Sequence, residues 1–317
     1  MGNPEQGNET FITEFILLGF GTLHELQILL FLLFLVIYIA TMAGNILIMA
    51  LVAADQHLHT PMYVFLGNLS CLETCYTSTI LPNILLTSLL TGDRTISVTR
   101  CFIQYDFFGS LAAIECLLLS VMSYNRYLAI VKPLHYEARL SDRSCLQLIG
   151  ISWAGGFLNN SIPVLSISQL TFCGPNGIDD FLCDFIPLVK LSCNDPQLME
   201  ILAFILSLII SLVPFLLTMM SYICIIATIL RILSTMGRQK AFSTCSSHLL
   251  VVSIYYGTLL IAYMFPTDNT MRDFKKVLSV VYTVLTPLVN PLIYTLRNKE
   301  IKGALRKVFR KFMLGQW

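Results

Sequence analysis

Residues 28–54 read ILLFLLFLVIYIATMAGNILIMALVAA, a run in which no Asp, Glu, Lys or Arg occurs. A helix rises about 1.5 Å per residue, so about 20 apolar residues cross the hydrocarbon core of a bilayer. Six other segments also lack these charges or contain a single acid: 144–167, 201–230, 241–267, 277–296, 59–86 (Glu73) and 107–125 (Glu115). Because hydrocarbon offers no water to backbone N–H and C=O groups, each segment must be helical. The sequence therefore predicts an all-α membrane protein, a bundle of seven transmembrane helices.

The charged residues are few and unevenly distributed. Hydrophobic residues make up 56% of the 317-residue chain and charged residues 12%, against roughly 25% charged in soluble domains. This leaves no room for a soluble catalytic domain. Of the Lys and Arg residues, 14 fall on the side of the C-terminus and 6 on the opposite side. Since positive charge stays cytoplasmic, we expect a multi-pass membrane protein with an extracellular N-terminus and a cytoplasmic C-terminus.

This orientation divides the chain into three parts. They are an extracellular tail (1–26), a transmembrane domain (27–296) with a long outer loop (168–196), and a cytoplasmic segment (297–317). In the cytoplasmic segment, apolar residues fall on one face of a helix and basic residues on the other. This predicts a short amphipathic helix on the anionic inner leaflet. Asn8 begins an Asn-Glu-Thr triplet in the outer tail, the acceptor pattern for N-glycosylation.

Four of the ten cysteines fall in the outer segments: Cys101, Cys173, Cys183 and Cys193. An oxidising exterior makes disulfides the default there. Four cysteines allow three pairings, and their spacing does not choose among them. We expect the other cysteines, which lie in or beside the spans, to be small core residues.

Two motifs lie near the inner ends of spans. Residues 122–127 read MSYNRY at the end of the third span, and residues 290–294 read NPLIY in the seventh. Pro291 lacks an N–H, so it frees a carbonyl of the preceding turn and kinks its helix. Single residues in other spans complete the set: Asn45, Cys101, Trp153 and Pro214. In this order the set resembles the rhodopsin-like G-protein-coupled receptors.

The resemblance narrows to one family of these receptors. Further runs look like olfactory receptor signatures, in order and at family spacing: LHTPMY (58–63), SY (221–222), KAFSTCSSH (240–248) and PLVNP (287–291). The short outer turn between spans 6 and 7 is similar to that of the class II, or tetrapod-type, branch. The resemblance implies a receptor for small volatile ligands. It further implies that the receptor activates a stimulatory heterotrimeric G protein of the olfactory type and raises cAMP.

The resemblance also implies roles for individual residues. It pairs Cys101 with Cys183, which ties the long loop to span 3, and Cys173 with Cys193. It assigns G-protein coupling and the conformational switch to ten residues: Asn125, Arg126, Tyr127, Tyr222, Arg238, Lys240, His248, Asn290, Pro291 and Tyr294. Asn125 departs from the family pattern, in which an Asp usually restrains the adjacent Arg by a charge-assisted hydrogen bond. We therefore expect a weaker resting lock and higher activity without ligand.

Glu73 and Glu115 are the acids that lie well inside the spans. An intramembrane carboxylate is costly and is a functional candidate by default. Two close carboxylates should not both ionise unshared. We therefore expect them to hold a sodium ion, or one proton, that favours the resting state. The alternative is a neutral hydrogen-bonded pair with no ion, and no other cofactor is expected.

A ligand cavity is expected in the outer half of spans 3, 5 and 6, where the resemblance places it. The candidate lining residues share helical faces: Tyr105, Phe108, Gly109, Ala112, Ala113, Leu206, Ser207, Ile210, Ser211, Tyr256, Leu259, Leu260, Tyr263 and Thr283. Ordinary helix packing is the alternative for each. The lining is mostly apolar with a few hydroxyls, which suits a small neutral ligand. Phe108 stands where amine receptors have an Asp, which argues against a cationic amine, and Asp106 should face elsewhere.

Other classes of protein fit less well. A transporter or channel is disfavoured because the chain has no internal repeat and no charged row along a pore. An intramembrane hydrolase would need a nucleophile with a base in one cavity, and the nearest pair, Cys245 and His248, lies at the cytoplasmic end of span 6. Nothing points to an enzyme or to nucleic-acid binding. A receptor of the same fold for a non-odorant metabolite in another tissue stays open.

Overall fold

Long helices dominate the computed structural model, which describes residues 12–19, 27–85, 94–172, 175–193, 197–264 and 281–313. The labelled helices are α1 (Gln27–Ala54), α2 (Pro61–Asn83), α3 (Val98–Val131), α4 (Asp142–Ser168), α5 (Gln197–Leu230), α6 (Thr235–Met264), α7 (Thr286–Arg297) and α8 (Lys299–Met313). A short helix, Phe185–Lys190, lies in the long outer loop, and a π-helical segment, Val281–Leu285, precedes α7.

Three helices in the described ranges are both long and apolar enough to cross a membrane, namely α1, α3 and α5. Three more, α2, α4 and α6, have 23, 27 and 30 residues. They are long enough to cross about 30 Å of hydrocarbon, but they carry more polar side chains. The seventh predicted span begins in 265–280, which lies outside the described residues. Three of the seven predicted spans therefore meet both criteria.

The distribution of polar and apolar side chains is the reverse of that in a soluble protein. Large apolar side chains of α1 and α5 lie on the surface, with Ile28 76% and Leu198 79% exposed. Polar side chains such as Asn45, Glu73 and Asn290 are buried between the helices. A water-soluble monomer rarely exposes so much contiguous apolar surface. This pattern indicates that the exposed faces of α1 and α5 contact hydrocarbon.

Helix α3 lies at the centre of the bundle and packs against α2, α4, α5 and α6. Glycines bring α3 and α4 close together. A Cβ added to Gly156 would lie 2.4 Å from Ile114 Cγ1 and 2.8 Å from the carbonyl oxygen of Ser110. Small residues at a helix interface allow this backbone approach. The register of α3 against α4 is therefore set by positions that accept no side chain.

A small sheet covers the outer end of α3. Its strands are β1 (Glu14–Leu17), β2 (Thr95–Ser97) and β3 (Gly177–Ile178). β1 lies in the middle, antiparallel to β2 and parallel to β3. The sequence predicts only an extracellular tail for residues 1–26, and these strands are not apparent from it. The sheet joins the N-terminal segment to the start of α3 and to the long outer loop.

The side chains under this sheet form an apolar cluster that includes the disulfide. Phe15 and Leu188 of the cluster are fully buried. Cys101 at the start of α3 is bonded to Cys183 of the loop, with their Cα atoms 5.4 Å apart. This confirms the predicted pairing. The outer end of the molecule is therefore closed by a sheet, a disulfide and buried apolar side chains.

The proline in α7 is compensated by α1. Pro291 has no N–H for the carbonyl of Pro287, four residues earlier. The Asn45 side-chain amide donates to that carbonyl at 3.3 Å and to the Thr41 carbonyl at 3.1 Å. A Cβ on Gly44 would lie 3.2 Å from Pro291 Cβ, so the glycine allows this close approach. Asn45 thus satisfies the backbone group that the proline frees.

Helix α8 begins after Asn298, whose side-chain oxygen accepts from the Glu300 N–H at 2.9 Å. The same oxygen accepts from the Tyr63 hydroxyl at 3.1 Å, which connects the start of α2 to the start of α8. Ile301 is buried while Lys302 and Arg306 are exposed. The predicted amphipathic helix is therefore present at Lys299–Met313.

Candidate functional site

The buried polar centre joins α2, α3 and α7. Glu73 and Glu115 are 1% and 3% exposed. The Asn290 side-chain amide donates to Glu73 Oε1, and the two carboxyl groups interact with each other. The expected proximity of Glu73, Glu115 and Asn290 is therefore observed.

Two carboxyl oxygens of this centre remain available to bind a cation or a proton. Glu73 Oε2 and Glu115 Oε1 are buried and have no hydrogen-bond partner among the residues that the structure describes. Carboxylate oxygens are the ligands that hard cations prefer. No group of three or more His, Cys, Asp and Glu side chains that could hold a metal occurs among the described residues. The centre thus offers two carboxyl groups and one amide, which is fewer acidic side chains than a group of three that could hold a metal.

Two tyrosines of α6 connect it to α3. The Tyr255 hydroxyl donates to the Ala112 carbonyl at 2.9 Å and lies 3.2 Å from Cys116 Sγ. The Tyr256 hydroxyl donates to the Cys116 carbonyl at 3.4 Å, and its ring lies 5.0 Å from that of Phe215 on α5. The position of α6 relative to α3 is therefore set by buried hydroxyl groups.

Tyr255 was missing from the predicted site. Its spacing of four residues from Leu259 places it on the same helical face as that residue. This spacing could have identified it, because it is the spacing that selected Tyr256 and Leu260. The contact itself could not be read from the sequence, since it depends on the rotation of α6 against α3.

The predicted ligand residues of α3 divide between two faces. Phe108 is 8% exposed and packs on Tyr76 of α2, with ring centroids 5.4 Å apart. Gly109 faces α4 instead, because a Cβ there would lie 2.6 Å from Asn160 Oδ1. The Asn160 amide also donates to Asp106 Oδ1 at 3.3 Å. Asp106 therefore faces α4, away from the expected cavity, and Gly109 allows helix contact.

The remaining α3 candidates are buried or partly buried. Tyr105 is buried in the outer cluster beside Phe185. Ala113 is buried, and Ala112 is partly buried beneath the Tyr255 hydroxyl.

The candidates on α5 are more exposed than those on α3. Leu206, Ile210 and Ser211 are partly buried, whereas Ser207 is exposed. The Ser211 hydroxyl donates to the Ser207 carbonyl at 2.6 Å. Serine hydroxyls in helices commonly make this bond to the preceding turn. The Ser211 proton is therefore used within α5.

The candidates on α6 and beyond are described in part. Leu259 is partly buried, and Thr283 is buried in the π-helical segment. The side chains of Leu260 and Tyr263 lie outside the described part of the structure.

At the inner end of α3, Arg126 is buried without a carboxylate partner. It is 8% exposed, and no ion pair to it occurs among the described residues. The adjacent Asn125 accepts a hydrogen bond from the Tyr136 hydroxyl at 2.9 Å. Burial raises the pKa of Tyr136, so the phenol is protonated and donates. Asn125 therefore binds the inner loop. The ring of Tyr127 stacks on the ring of Tyr124.

Tyr222 of α5 and His248 of α6 contact each other on the inner side of the bundle. The Tyr222 hydroxyl lies 2.6 Å from His248 Nδ1, and both side chains are buried. Within the described part of the chain, His248 Nε2 and the Tyr294 hydroxyl have no hydrogen-bond partner. Arg126 acts electrostatically on all three side chains. The predicted switch residues of α3, α5, α6 and α7 are thus brought together.

Some predicted residues lie at the edge of this group or outside the description. Arg238 is exposed and donates to the Ile232 carbonyl at 3.1 Å. Cys193 is disulfide-bonded, but its predicted partner Cys173 lies outside the described residues. So do Asn8 and the side chain of Lys240. Pairing of Cys173 with Cys193 and glycosylation of Asn8 stay predictions.

The chain matches known proteins along almost its whole length. The family model described as olfactory receptor matches residues 34–311. Human olfactory receptor 11A1 is 48% identical over 302 residues, which covers 95% of each chain. Human olfactory receptor 11L1 is 47% identical over 307 residues, 97% of this chain and 95% of the relative. Mouse olfactory receptor 5AP2 is 45% identical over 309 residues, 97% of this chain and 96% of the relative.

Proposed function

The chain belongs to the olfactory receptor family of odorant-sensing G-protein-coupled receptors, and we propose that it binds small, mostly apolar, neutral volatile molecules and activates a stimulatory heterotrimeric G protein of the olfactory type, raising cAMP. Members of this family are multi-pass plasma-membrane receptors and not enzymes. The hydrolase and transporter alternatives are therefore set aside.

In the proposed topology seven spans cross the membrane, with the N-terminus extracellular and α8 on the cytoplasmic leaflet. The excess of Lys and Arg on the C-terminal side supports this orientation. The disulfide between Cys101 and Cys183 also supports it, because an oxidising exterior favours such bonds.

The contact between α3 and α6 is the observation that carries the proposal. The Tyr255 and Tyr256 hydroxyls bind the Ala112 and Cys116 carbonyls of α3, below the expected cavity. A ligand that binds one packing of α6 better than the other shifts the population toward that packing. The same helix carries His248 at its inner end, hydrogen-bonded to Tyr222. Loss of that contact would expose Arg126 to the G protein.

We propose the outer half of α3, α5 and α6 as the ligand site. Phe108, Leu206 and Ile210 supply apolar contact, and Tyr256 supplies a hydroxyl near the base. Such a lining fits a neutral ligand with one polar group. Gly109 contributes through the approach of α4 rather than by ligand contact.

A screen of a volatile library for cAMP in cells tests the ligand and the coupling together. The matched variants are Tyr256→Phe and, as a control, Tyr38→Phe, a partly buried tyrosine on α1. Tyr256→Phe removes one hydrogen bond, which contributes about 1 kcal/mol. This loss corresponds to a change of about fivefold in potency or basal activity. Tyr38→Phe should respond as wild type. If no volatile raises cAMP while surface expression is normal, the proposal is wrong.

We propose further that Glu73 and Glu115 hold a sodium ion, or share one proton, in the resting state. The two unpartnered oxygens, Glu73 Oε2 and Glu115 Oε1, support this. A bound cation would add positive charge between the carboxylates. Sodium should then lower basal nucleotide exchange in membranes from wild-type cells and have no effect on Glu115→Gln. Equal sodium dependence of both proteins would remove the ion and leave the shared proton or a neutral pair.

A further inference from the structure

A cavity of about 330 Å³ lies where the end of α5 meets the start of α6. Its lining residues come from both helices at helical spacing: Ile226, Ile229, Leu230, Thr235, Arg238, Gln239 and Phe242. The α5 side chains and Phe242 are apolar, and the polar ones lie at the start of α6. The cavity is therefore an apolar trough with a polar rim.

The trough opens at the exposed surface of α5 and α6. Ile226, Leu230 and Phe242 are 42%, 63% and 54% exposed. Ile223, 61% exposed, continues this apolar surface along α5. The same surface of α5 is expected to face hydrocarbon. An acyl chain lying along α5 could thus enter the trough from the bilayer.

The rim is positively charged. Arg238 uses one guanidinium N–H for the Ile232 carbonyl, and guanidinium groups have five donors. Arg231 is also exposed close by in the sequence. No Asp or Glu occurs anywhere in residues 201–267. The rim is therefore complementary to an anion such as a phosphodiester.

We propose that this cavity binds an anionic phospholipid of the inner leaflet, with part of one acyl chain in the trough and its phosphate on Arg238. The leaflet rests on the topology proposed above, which places this end of α5 and α6 on the cytoplasmic side. Anionic lipids are concentrated in that leaflet and attract basic residues near its surface. The volume lies within the range of small-molecule sites.

Native mass spectrometry of the purified full-length receptor tests lipid retention directly. The protein is equilibrated with phosphatidylserine and, separately, phosphatidylcholine of the same chain length. We expect selective retention of one phosphatidylserine by wild type and by Arg238→Lys. Arg238→Gln should reduce that retention about fivefold, the effect of one basic group near an anionic surface. Arg143→Gln, at an exposed arginine at the start of α4, should retain it as wild type does.

Two further arms separate the lipid from other occupants. Glycerophosphoserine, which has the headgroup without chains, should not compete, because the trough contributes to binding. A photoreactive residue at 226 should capture lipid in membranes that lack G protein. The proposal is overturned if Arg238→Gln retains phosphatidylserine as wild type does, if Arg143→Gln loses it equally, or if position 226 captures only a G-protein α subunit. Lipid retention needs neither odorant nor G protein, so its failure is distinct from failure of the proposed function.

Discussion

The outer and inner ends of the bundle are held by different kinds of interaction. At the outer end β1 pairs with two strands, and the Cys101–Cys183 disulfide lies in a buried apolar cluster. At the inner end, α5 meets α6 through the hydrogen bond between Tyr222 and His248, and Asn125 meets the inner loop through Tyr136. The outer end is cross-linked by a disulfide, whereas the inner end is held by single hydrogen bonds and by an apolar cluster of Tyr222, Ile225, Ile229 and Cys245.

This difference fits a receptor that changes shape at one end. A switch needs two packings that differ by only a few kcal/mol, so that a ligand can shift their populations. Single hydrogen bonds contribute about 1 kcal/mol each, which is within that range. A disulfide contributes more, about 2 to 4 kcal/mol, and keeps the outer end in place. We therefore infer that the outer end is the fixed frame and the inner end is the part that rearranges.

The largest expected effect is on the outer end. Cys183→Ser removes a cross-link between residues separated by 82 positions in the sequence, and the chain-entropy model gives about 4 kcal/mol for a loop of this size. We expect a clearly lower melting temperature of the purified receptor and less receptor at the cell surface. Cys224→Ser, at an exposed free cysteine, is the control and should melt as wild type does. A Cys183→Ser receptor with unchanged melting temperature would contradict a disulfide-fixed outer end.

The connection between the two ends is tested next, at Tyr255. Tyr255→Phe removes the hydroxyl that binds the Ala112 carbonyl at 2.9 Å, a loss of about 1 kcal/mol. If this bond belongs to the resting packing, cAMP without ligand should rise about fivefold. Thr258→Ala provides a comparison on the same helix, because the Thr258 hydroxyl binds the Tyr255 carbonyl within α6. Basal cAMP that is unchanged in Tyr255→Phe would mean that the bond is present in both packings.

The inner and outer ends also differ in how far the sequence predicts them. Apolar length and the Ser97 cap, which accepts from the Arg100 N–H, define α3, which contains the predicted apolar segment 107–125. The motif residues around Arg126 are brought together as the family resemblance implied. β1 could not be predicted, because EFIL is too short for a period to be counted. Its partners are distant in the sequence, and only the folded chain brings them beside it.

The candidate ligand residues show a second limit. Small residues in a span allow either an open space or a close helix approach. Gly109 was expected to line the cavity, and it lies against Asn160 instead. Asn125 was expected to restrain Arg126 more weakly than the usual Asp, and its hydrogen-bond partner is Tyr136. In both places the residue type was informative, but the rotation of the helix and the path of the loop decide the contact.

A smaller effect is expected where the inner end departs from the family pattern. Asn125→Asp adds a negative charge beside Arg126 while keeping an oxygen for the Tyr136 hydroxyl. Asn125 and Arg126 are both buried, so the attraction of the new charge to Arg126 is largely offset by the cost of desolvating it, and we expect basal cAMP to fall about two- to threefold. Tyr136→Phe separates the two effects, because it removes the hydrogen bond without adding charge. An Asn125→Asp receptor with wild-type basal activity would show that the missing charge does not weaken the resting state.

The smallest expected effect concerns the ion pair between Lys307 of α8 and Asp55, 3.2 Å apart. The pKa of Asp55 is lowered, first by the hydrogen bond from the His57 N–H and then by Lys307. Because the folded pKa lies below the ordinary value of 3.8, the stabilisation is present above pH 3.8 and is lost as the pH falls through the folded pKa. Asp55→Asn should therefore lower the melting temperature at pH 7 by only about 1 °C.

That difference should narrow below pH 3.8 and in high salt, where an exposed pair is screened. A cycle with Asp55→Asn, Lys307→Gln and the double variant isolates the pair from the His57 hydrogen bond. If the single effects simply add, Lys307 contributes nothing through Asp55. Helix α8 would then be held by Tyr63, Asn298 and the burial of Ile301. That outcome would make the contrast sharper, since hydrogen bonds and apolar burial would then hold the inner end without any charge pair.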